Sequence, residues 1–214
     1  MSRNKHPEVT INRILDVAFN LFSKKGYEQT TIQNIVDELG DLSKGAIYHH
    51  FKSKEEIIDR LLYRINSNPI AFEGISENFN TLNGIEKIRT VLIASLKNEQ
   101  SLAMYRAAPN LLKNPKFLSL QLTVTMENIA PEIQVYIEEG ICDGSIQSDS
   151  PKLLAEFFSL IANIWINPGV FPLTKSEFID KVLFAKKTFD ALGLPVVNDK
   201  VLQALHNFAN ELNL

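Results

Sequence analysis

The sequence predicts an all-α protein, and three observations carry that prediction. Apolar residues recur three and four positions apart along nearly the whole chain, the spacing of one face of a helix. Helix-start and helix-stop residues punctuate these stretches at the right distances. No stretch alternates apolar and polar residues over strand length, and the chain has no internal repeat.

From Thr10, the residues Ile11, Ile14, Leu15, Ala18, Phe19 and Phe22 fall on one helical face. Lys24 and Lys25 suit the negative end of that helix, and Gly26 supplies the left-handed residue that stops it. Thr30 and Gln33 have the spacing of a capping box, and Ile32, Ile35, Val36 and Leu39 form the next apolar stripe, closed by Gly40. After Asp41 and Leu42, Ser43 caps a third helix, with Leu42 and Ile47 placed as a hydrophobic staple. Ser53 and Glu56 form another capping box and open a fourth helix that buries Ile57, Ile58, Leu61, Leu62 and Ile65.

Residues 66–83 hold five asparagines, a proline and a glycine, which reads as a domain boundary containing at most a short helical turn. Beyond it the helical period returns. Ile85, Ile88, Leu92 and Leu96 mark one helix, and Leu102 to Leu112 mark a short one interrupted at Pro109. A long helix from Pro115 turns Leu118, Leu122, Met126, Ile129, Ile133 and Ile137 inward, with a kink at Pro131. Between Leu153 and Ile166 eleven of fourteen residues are apolar; Glu156, Ser159 and Asn163 share one narrow stripe. A bilayer needs about 20 apolar residues, so this run predicts a helix buried on nearly all sides and no membrane span. The next helix places Phe178, Val182, Ala185, Phe189 and Leu192 at alternating four- and three-residue steps, a seam that wants a partner helix, internal or from a second subunit.

Composition narrows the function. At 214 residues, 45% hydrophobic and 22% charged, the chain is of ordinary globular type. The start, MSRNKHPEV, has no apolar run of a signal peptide, so a cytoplasmic location is expected. Cys142 is the single cysteine, which excludes an internal disulfide framework and a multi-cysteine zinc site. The adjacent His49 and His50 cannot both face one metal, and His6 and His206 lie at the chain ends, so no metal is expected. No nucleophile–base–acid set and no glycine-rich phosphate loop is present, so neither catalysis nor a cofactor is expected. Net charge is −3, but residues 1–65 hold ten Lys and Arg against nine Asp and Glu, and the remainder twelve against sixteen. That distribution permits a local polyanion-binding surface without requiring one.

The stretch SKGAIYHHFKSKEE, residues 43–56, is more informative. Ala46 stands where the third helix would carry the carboxylate of a capping box, and no acid occurs between Asp41 and Glu55. Two short helices joined by a tight turn describe a helix-turn-helix. Ile47 and Phe51, one turn apart, face the core, so Lys44, Gly45, Tyr48 and His49 point outward. Free N–H groups at the first turn favour an anion, and a DNA phosphate supplies one. Gly45 lets the backbone approach a surface, and the methyl of Ala46 is small enough to meet a thymine methyl. Lys44 is best placed to reach a base edge, with Tyr48, His49 and Lys54 as phosphate contacts; His50 reads as structural. Taken singly, Lys44 reads equally as a solvated lysine and Tyr48 as a packing residue. Their joint pattern carries the DNA reading.

The segment from Ile11 to Leu62 resembles the DNA-binding domain of the TetR family of bacterial transcription regulators. The resemblance rests on Ile14-Leu15-Asp16-Val17-Ala18, Leu21-Phe22, Gly26-Tyr27, Thr30-Thr31-Ile32, Ile35 and above all the ordered block Ser43 to Glu56. It implies a helix-turn-helix domain over 1–65, a linker over 66–83, and a ligand-binding and dimerisation domain over 84–214. It further implies a homodimer on a near-palindromic operator, a repressor responding to a small effector, and Thr31, Lys44, Gly45, Tyr48, His49 and Lys54 at DNA-contacting positions. Dimerisation would use the last long helices by position, 151–167 and 175–192, and so Phe157, Ile161, Ile164, Phe178, Val182, Ala185 and Phe189. The turn Gly40-Asp41-Leu42 is one residue longer than the family's commonest, which bears on where Lys44 points.

For a mainly apolar effector, the mixed linings predicted from sequence are Met104, Tyr105 and Arg106, then Gln121, Thr125 and Met126, then Phe158 and Trp165. Arg106 in an apolar setting needs an acid, either Glu127 or one carried by the ligand. Two other classes stay open on the residues alone: an all-α enzyme or carrier for an apolar metabolite, and a helical adaptor for another protein. The first has no catalytic constellation, and the second leaves the acid-free helix start unexplained.

Overall fold

A computed structural model describes residues 7–67 and 78–214, and every regular element among them is helical. The elements are α1 (Pro7–Lys25), α2 (Ile32–Leu39), α3 (Lys44–His50), α4 (Lys54–Ser67), a short 3₁₀ turn (Phe79–Thr81), α5 (Gly84–Lys97), α6 (Glu99–Leu111), α7 (Pro115–Val124), α8 (Ala130–Asp143), α9 (Pro151–Leu160), α10 (Lys175–Ala191) and α11 (Asp199–Glu211). Wide π-helical turns, Thr125–Ile129 and Ile161–Trp165, follow α7 and α9. The chain divides into two units, one of residues 7–67 with Asn110–Leu118, the other of residues 78–109 with Ser119–Leu214.

In the first unit the apolar stripes of α1 to α4 meet: Ile14, Ala18, Phe22, Ile35, Ile47, Ile57, Ile58 and Leu61 are inaccessible. Capping at α2 slips by one residue from the sequence expectation. Thr31, not Thr30, is the cap; its hydroxyl accepts from the Asn34 amide while Asn34 answers the Thr31 N–H. Thr30 is instead fully buried and donates to the Gly26 carbonyl at 2.8 Å. At α4 the box is half formed: the Glu56 N–H donates to Ser53 Oγ, but the Glu56 carboxylate accepts from Lys52 N–H rather than from Ser53. Asn110 belongs to this unit because its amide donates to the carbonyl of Ser23 at 2.8 Å, satisfying an orphan group at the end of α1. Lys116 belongs to it through an ion pair with Asp59 of α4.

The second unit is a helical bundle around one apolar cluster drawn from α5, α6, α8, α9, α10 and α11. α5 crosses α8 closely, where a Cβ on Gly84 would lie 2.2 Å from the amide nitrogen of Gly140. Only glycine permits that approach. Asp143 fixes the same end, accepting from the Gly84 N–H at 2.8 Å.

Several expectations for this half are corrected. α6 runs through Pro109 to Leu111 instead of breaking there. The irregularity predicted at Pro131 takes the form of a π-helical turn just before α8, with Pro131 in the first turn of that helix. A π turn holds an extra residue and rotates the stripe behind it, so Leu122, expected inward, is 41% exposed while Ile133 and Ile137 are buried. The 153–166 run is not enclosed: Leu153 is 64% and Phe157 39% exposed. The seam on α10 does find a partner, but within its own subunit. Phe178, Val182, Ala185 and Phe189 are each 4% exposed or less and lie in the core cluster with α11, whose bounds the spacing did not single out. Of the 66–83 boundary, residues 68–77 lie outside the described residues, as does His6.

Candidate nucleic-acid interface and effector cavity

The interface is built by α2, the turn after it, and α3. Gly40 ends α2 with φ +74°, and its N–H returns to the carbonyl of Val36. Asp41, in the turn between α2 and α3, is held by a two-pronged pair with Arg13 of α1 at 2.8 and 2.9 Å. The Arg13 hydrogen bond keeps the Asp41 carboxyl below its ordinary range. The acid nearest α3 is therefore already neutralised by a base of the scaffold.

Ser43 caps α3, accepting from the Ala46 amide at 3.2 Å. The first turn holds no acid, and the N–H groups of Lys44 and Gly45 take no partner among the described residues. Ile47 and Phe51 are buried, as their spacing requires, so Lys44, Gly45, Tyr48 and His49 line the outer edge with Ala46 half buried behind them. His49 and His50 rings meet edge to face. A Cβ on Gly45 would meet nothing nearer than Ser43 Oγ at 3.8 Å. Nothing within the protein demands glycine there, so Gly45→Ala is expected to leave the free protein as stable or stabler by up to about 1 kcal/mol. Loss of DNA affinity on all sequences, measured by fluorescence anisotropy, is the expected second result; unchanged affinity would mean that no surface approaches this backbone.

Lys54 is placed differently from its reading as a phosphate contact. It is half buried, its ammonium donates to the carbonyls of Tyr27 at 2.8 Å and Thr30 at 3.0 Å, and it sits 4.1 Å from the centre of the Tyr27 ring. Tyr27 in turn donates to Glu55 at 3.1 Å and packs on Phe22. Lys54 thus clamps the loop before α2 onto α4. Its replacement by Ala is expected to lower the unfolding stability of this unit by about 1–3 kcal/mol, because two carbonyls lose a charged donor. Thermal unfolding checks it; weaker DNA binding at unchanged stability would restore the phosphate role.

The second unit holds a partly open cavity of about 150 Å³. Its lining is mainly apolar, from α5, α6, α8 to α11 and both π-helical turns, with Tyr105 and Phe158 among the aromatic residues. Met104, Arg106, Gln121, Thr125, Met126 and Trp165, predicted as ligand contacts, do not line it. Successive helical residues point about 100° apart, so turning Tyr105 inward turns both neighbours away. Arg106 is exposed and reaches Glu211 at 3.4 Å rather than Glu127. Thr125 is buried with its hydroxyl donated to the Gln121 carbonyl, and Trp165 carries the Lys181 ammonium 4.8 Å from its ring centre. The polar lining residues the sequence reading missed are Ser95, Glu132, Asn163 and Asn167. Asn163 had a visible signal, since it belongs to the polar stripe interrupting the apolar 153–166 run.

Residues 14–61 match the profile of the bacterial regulatory proteins, tetR family. The transcriptional repressor KstR2 of Mycobacterium tuberculosis is 32% identical over 177 residues, 77% of this chain and 84% of its own length. This chain belongs to the TetR family. The KstR2 repressor of Rhodococcus jostii is 29% identical over 165 residues, 73% of this chain and 79% of that one. A solved structure of a putative transcriptional regulator from Saccharomonospora viridis, in complex with choline, shares the fold with a TM-score of 0.62 at 21% identity, over 94% of this chain and 96% of that one.

As a TetR-family member the chain is a DNA-binding transcription regulator and not an enzyme. No helix among the described residues is long and apolar enough to cross a membrane. On this TetR-family scaffold the buried seam of α10 leaves a different face uncovered. Phe184 is 64% exposed, with Leu183 of α10 and Leu192, the residue after its end, also on the surface. Leu192 shares a surface groove with Leu153 and Phe157 of α9. Phe184 touches Trp165 edge to face at 6.0 Å.

Proposed function

We propose that this regulator is an effector-responsive repressor that binds a near-palindromic operator as a homodimer, one α3 per half-site. The observation that carries the reading is the outer edge of α3: exposed Lys44, Tyr48 and His49 beside two unpartnered N–H groups, with no acid in the first turn. Lys44 reads a base edge, while Tyr48, His49 and the free hydroxyl proton of Thr31 go to phosphates. The name of the KstR2 relatives supports repression rather than activation.

Dimerisation uses the exposed face of α9 and α10, Leu153, Phe157, Phe184 and Leu192, in place of the buried seam. Leu153, Phe157 and Leu192 share one groove and Phe184 lies against Trp165, and exposed apolar side chains of this size are costly on a monomer. The effector enters the cavity of the second unit. Ile129, in the π-helical turn that continues α7, lines that cavity, and the other end of α7 carries Lys116, paired with Asp59 of α4 at 2.6 Å. Filling the cavity moves α7 and with it the DNA-binding unit, and an affinity difference of about 1–3 kcal/mol between the two states releases the operator.

The test is a mobility-shift titration of the purified protein on the promoter DNA beside its own gene, at several salt concentrations. Specific binding that weakens steeply with salt is expected. Equal, weak binding to promoter and scrambled DNA would defeat the proposal.

A further inference from the structure

Resting on the cavity as the effector site, we infer that it takes a small uncharged molecule, ring-sized and mainly apolar, whose one oxygen accepts a hydrogen bond from the Tyr105 hydroxyl, and that it rejects carboxylates of the same shape. Size comes first. An apolar cavity of about 150 Å³ admits a molecule of about the size of benzene, and this cavity has that volume.

Charge comes next. Among the described residues no Lys, Arg or His lines the cavity, and the one carboxylate there is Glu132. An anion entering it would lose its hydration with no cation to replace it, and would face a like charge. Nor does Glu132 call for a cationic ligand, since it is only half buried and already accepts from the Tyr136 hydroxyl at 2.9 Å.

The unmet polar groups then decide the chemistry. Asn167 uses both ends of its amide, donating to the Asn163 carbonyl and accepting from the Gly169 N–H. Ser95 donates to the Leu92 carbonyl and keeps only an acceptor, whereas Asn163 donates one amide N–H to the Ser159 carbonyl and keeps its second N–H and its oxygen. Tyr105 is the one polar side chain of the lining that makes no hydrogen bond at all among the described residues, although its ring is held edge to face against Phe208 at 4.8 Å. Burial pushes the Tyr105 phenol up, so at neutral pH it remains an O–H donor. An unused donor on a half-buried tyrosine of an apolar lining, like the spare Asn163 N–H, selects a ligand that brings an acceptor.

Four compounds of one shape separate these statements: benzyl alcohol, benzoate, benzylamine and toluene, titrated into the purified DNA-free protein by calorimetry. Benzyl alcohol is expected to bind at least tenfold more tightly than benzoate or benzylamine, and several-fold more tightly than toluene. Tyr105→Phe should abolish the advantage of benzyl alcohol over toluene while leaving toluene unchanged. Ala162→Phe, which fills the cavity, should abolish binding of all four. Benzoate or benzylamine binding as well as benzyl alcohol would overturn the charge argument. An undiminished benzyl alcohol advantage in Tyr105→Phe, or no binding by any compound, would overturn the proposal. Promoter binding without any compound is scored separately. A protein that shifts DNA but prefers benzoate refutes the cavity chemistry alone; one that takes benzyl alcohol but ignores DNA refutes the regulator reading alone.

Discussion

Val182→Asp is expected to leave the second unit unfolded, whereas Phe184→Asp is expected to give a folded monomer. The two positions are two residues apart on α10 and differ in what they meet. Val182 is 1% exposed within the cluster that also holds Phe178, Phe189 and Phe208. A carboxylate placed there has no partner, and burying it or protonating it costs several kcal/mol out of a typical domain stability of about 5–15 kcal/mol. Phe184 is 64% exposed, and a surface change of this kind usually alters monomer stability by no more than about 0.5 kcal/mol. On the proposed interface the same carboxylate is desolvated against a second copy, so the loss falls on association. Circular dichroism melting with sedimentation velocity distinguishes the cases. A folded, monomeric Val182→Asp would return the buried seam to the interface, and a dimeric Phe184→Asp would remove the exposed face from it.

Lys44→Ala should reduce discrimination between operator and scrambled DNA by roughly 1–3 kcal/mol, the worth of one good base contact. Lys44 is exposed in the first turn of α3, has no ion pair among the described residues, and stands next to a glycine that leaves the backbone uncovered. Tyr48→Ala, by contrast, should weaken both DNAs by similar factors, because phosphates carry no base identity. The paired measurement is anisotropy on the two duplexes across a salt series. Equal losses for Lys44→Ala on both would make it one more phosphate contact, with the longer turn held by Arg13 and Asp41 as the structural reason.

Most of the first unit was legible in the sequence because its signals are local. A cap acts within three residues, a stop glycine on its own turn, and an apolar stripe on its own helix. At Thr30 and Thr31 the spacing to Gln33 pointed to Thr30 as the cap, but Thr30 is buried and Thr31 takes that role. Lys54 shows the same limit at a site: its charge is plain in the sequence, but the two carbonyls that occupy it come from residues 24 and 27 positions away.

The second unit kept more to itself. Its sequence alone determined that it is helical, that Phe178, Val182, Ala185 and Phe189 share a face, and that Asn163 interrupts an apolar run, because periodicity fixes which residues lie together on a helix. It did not determine what that face meets. A seam at coiled-coil spacing packs equally well on a helix of its own chain or of another, and only the placement of α11 beside α10 turned it inward and left Phe184 outside. The cavity lining was likewise decided by tertiary structure. The two π-helical turns shift the register of the stripes that follow them, and several separate helices each contribute a few residues to one small space, an arrangement that no local spacing in the chain encodes.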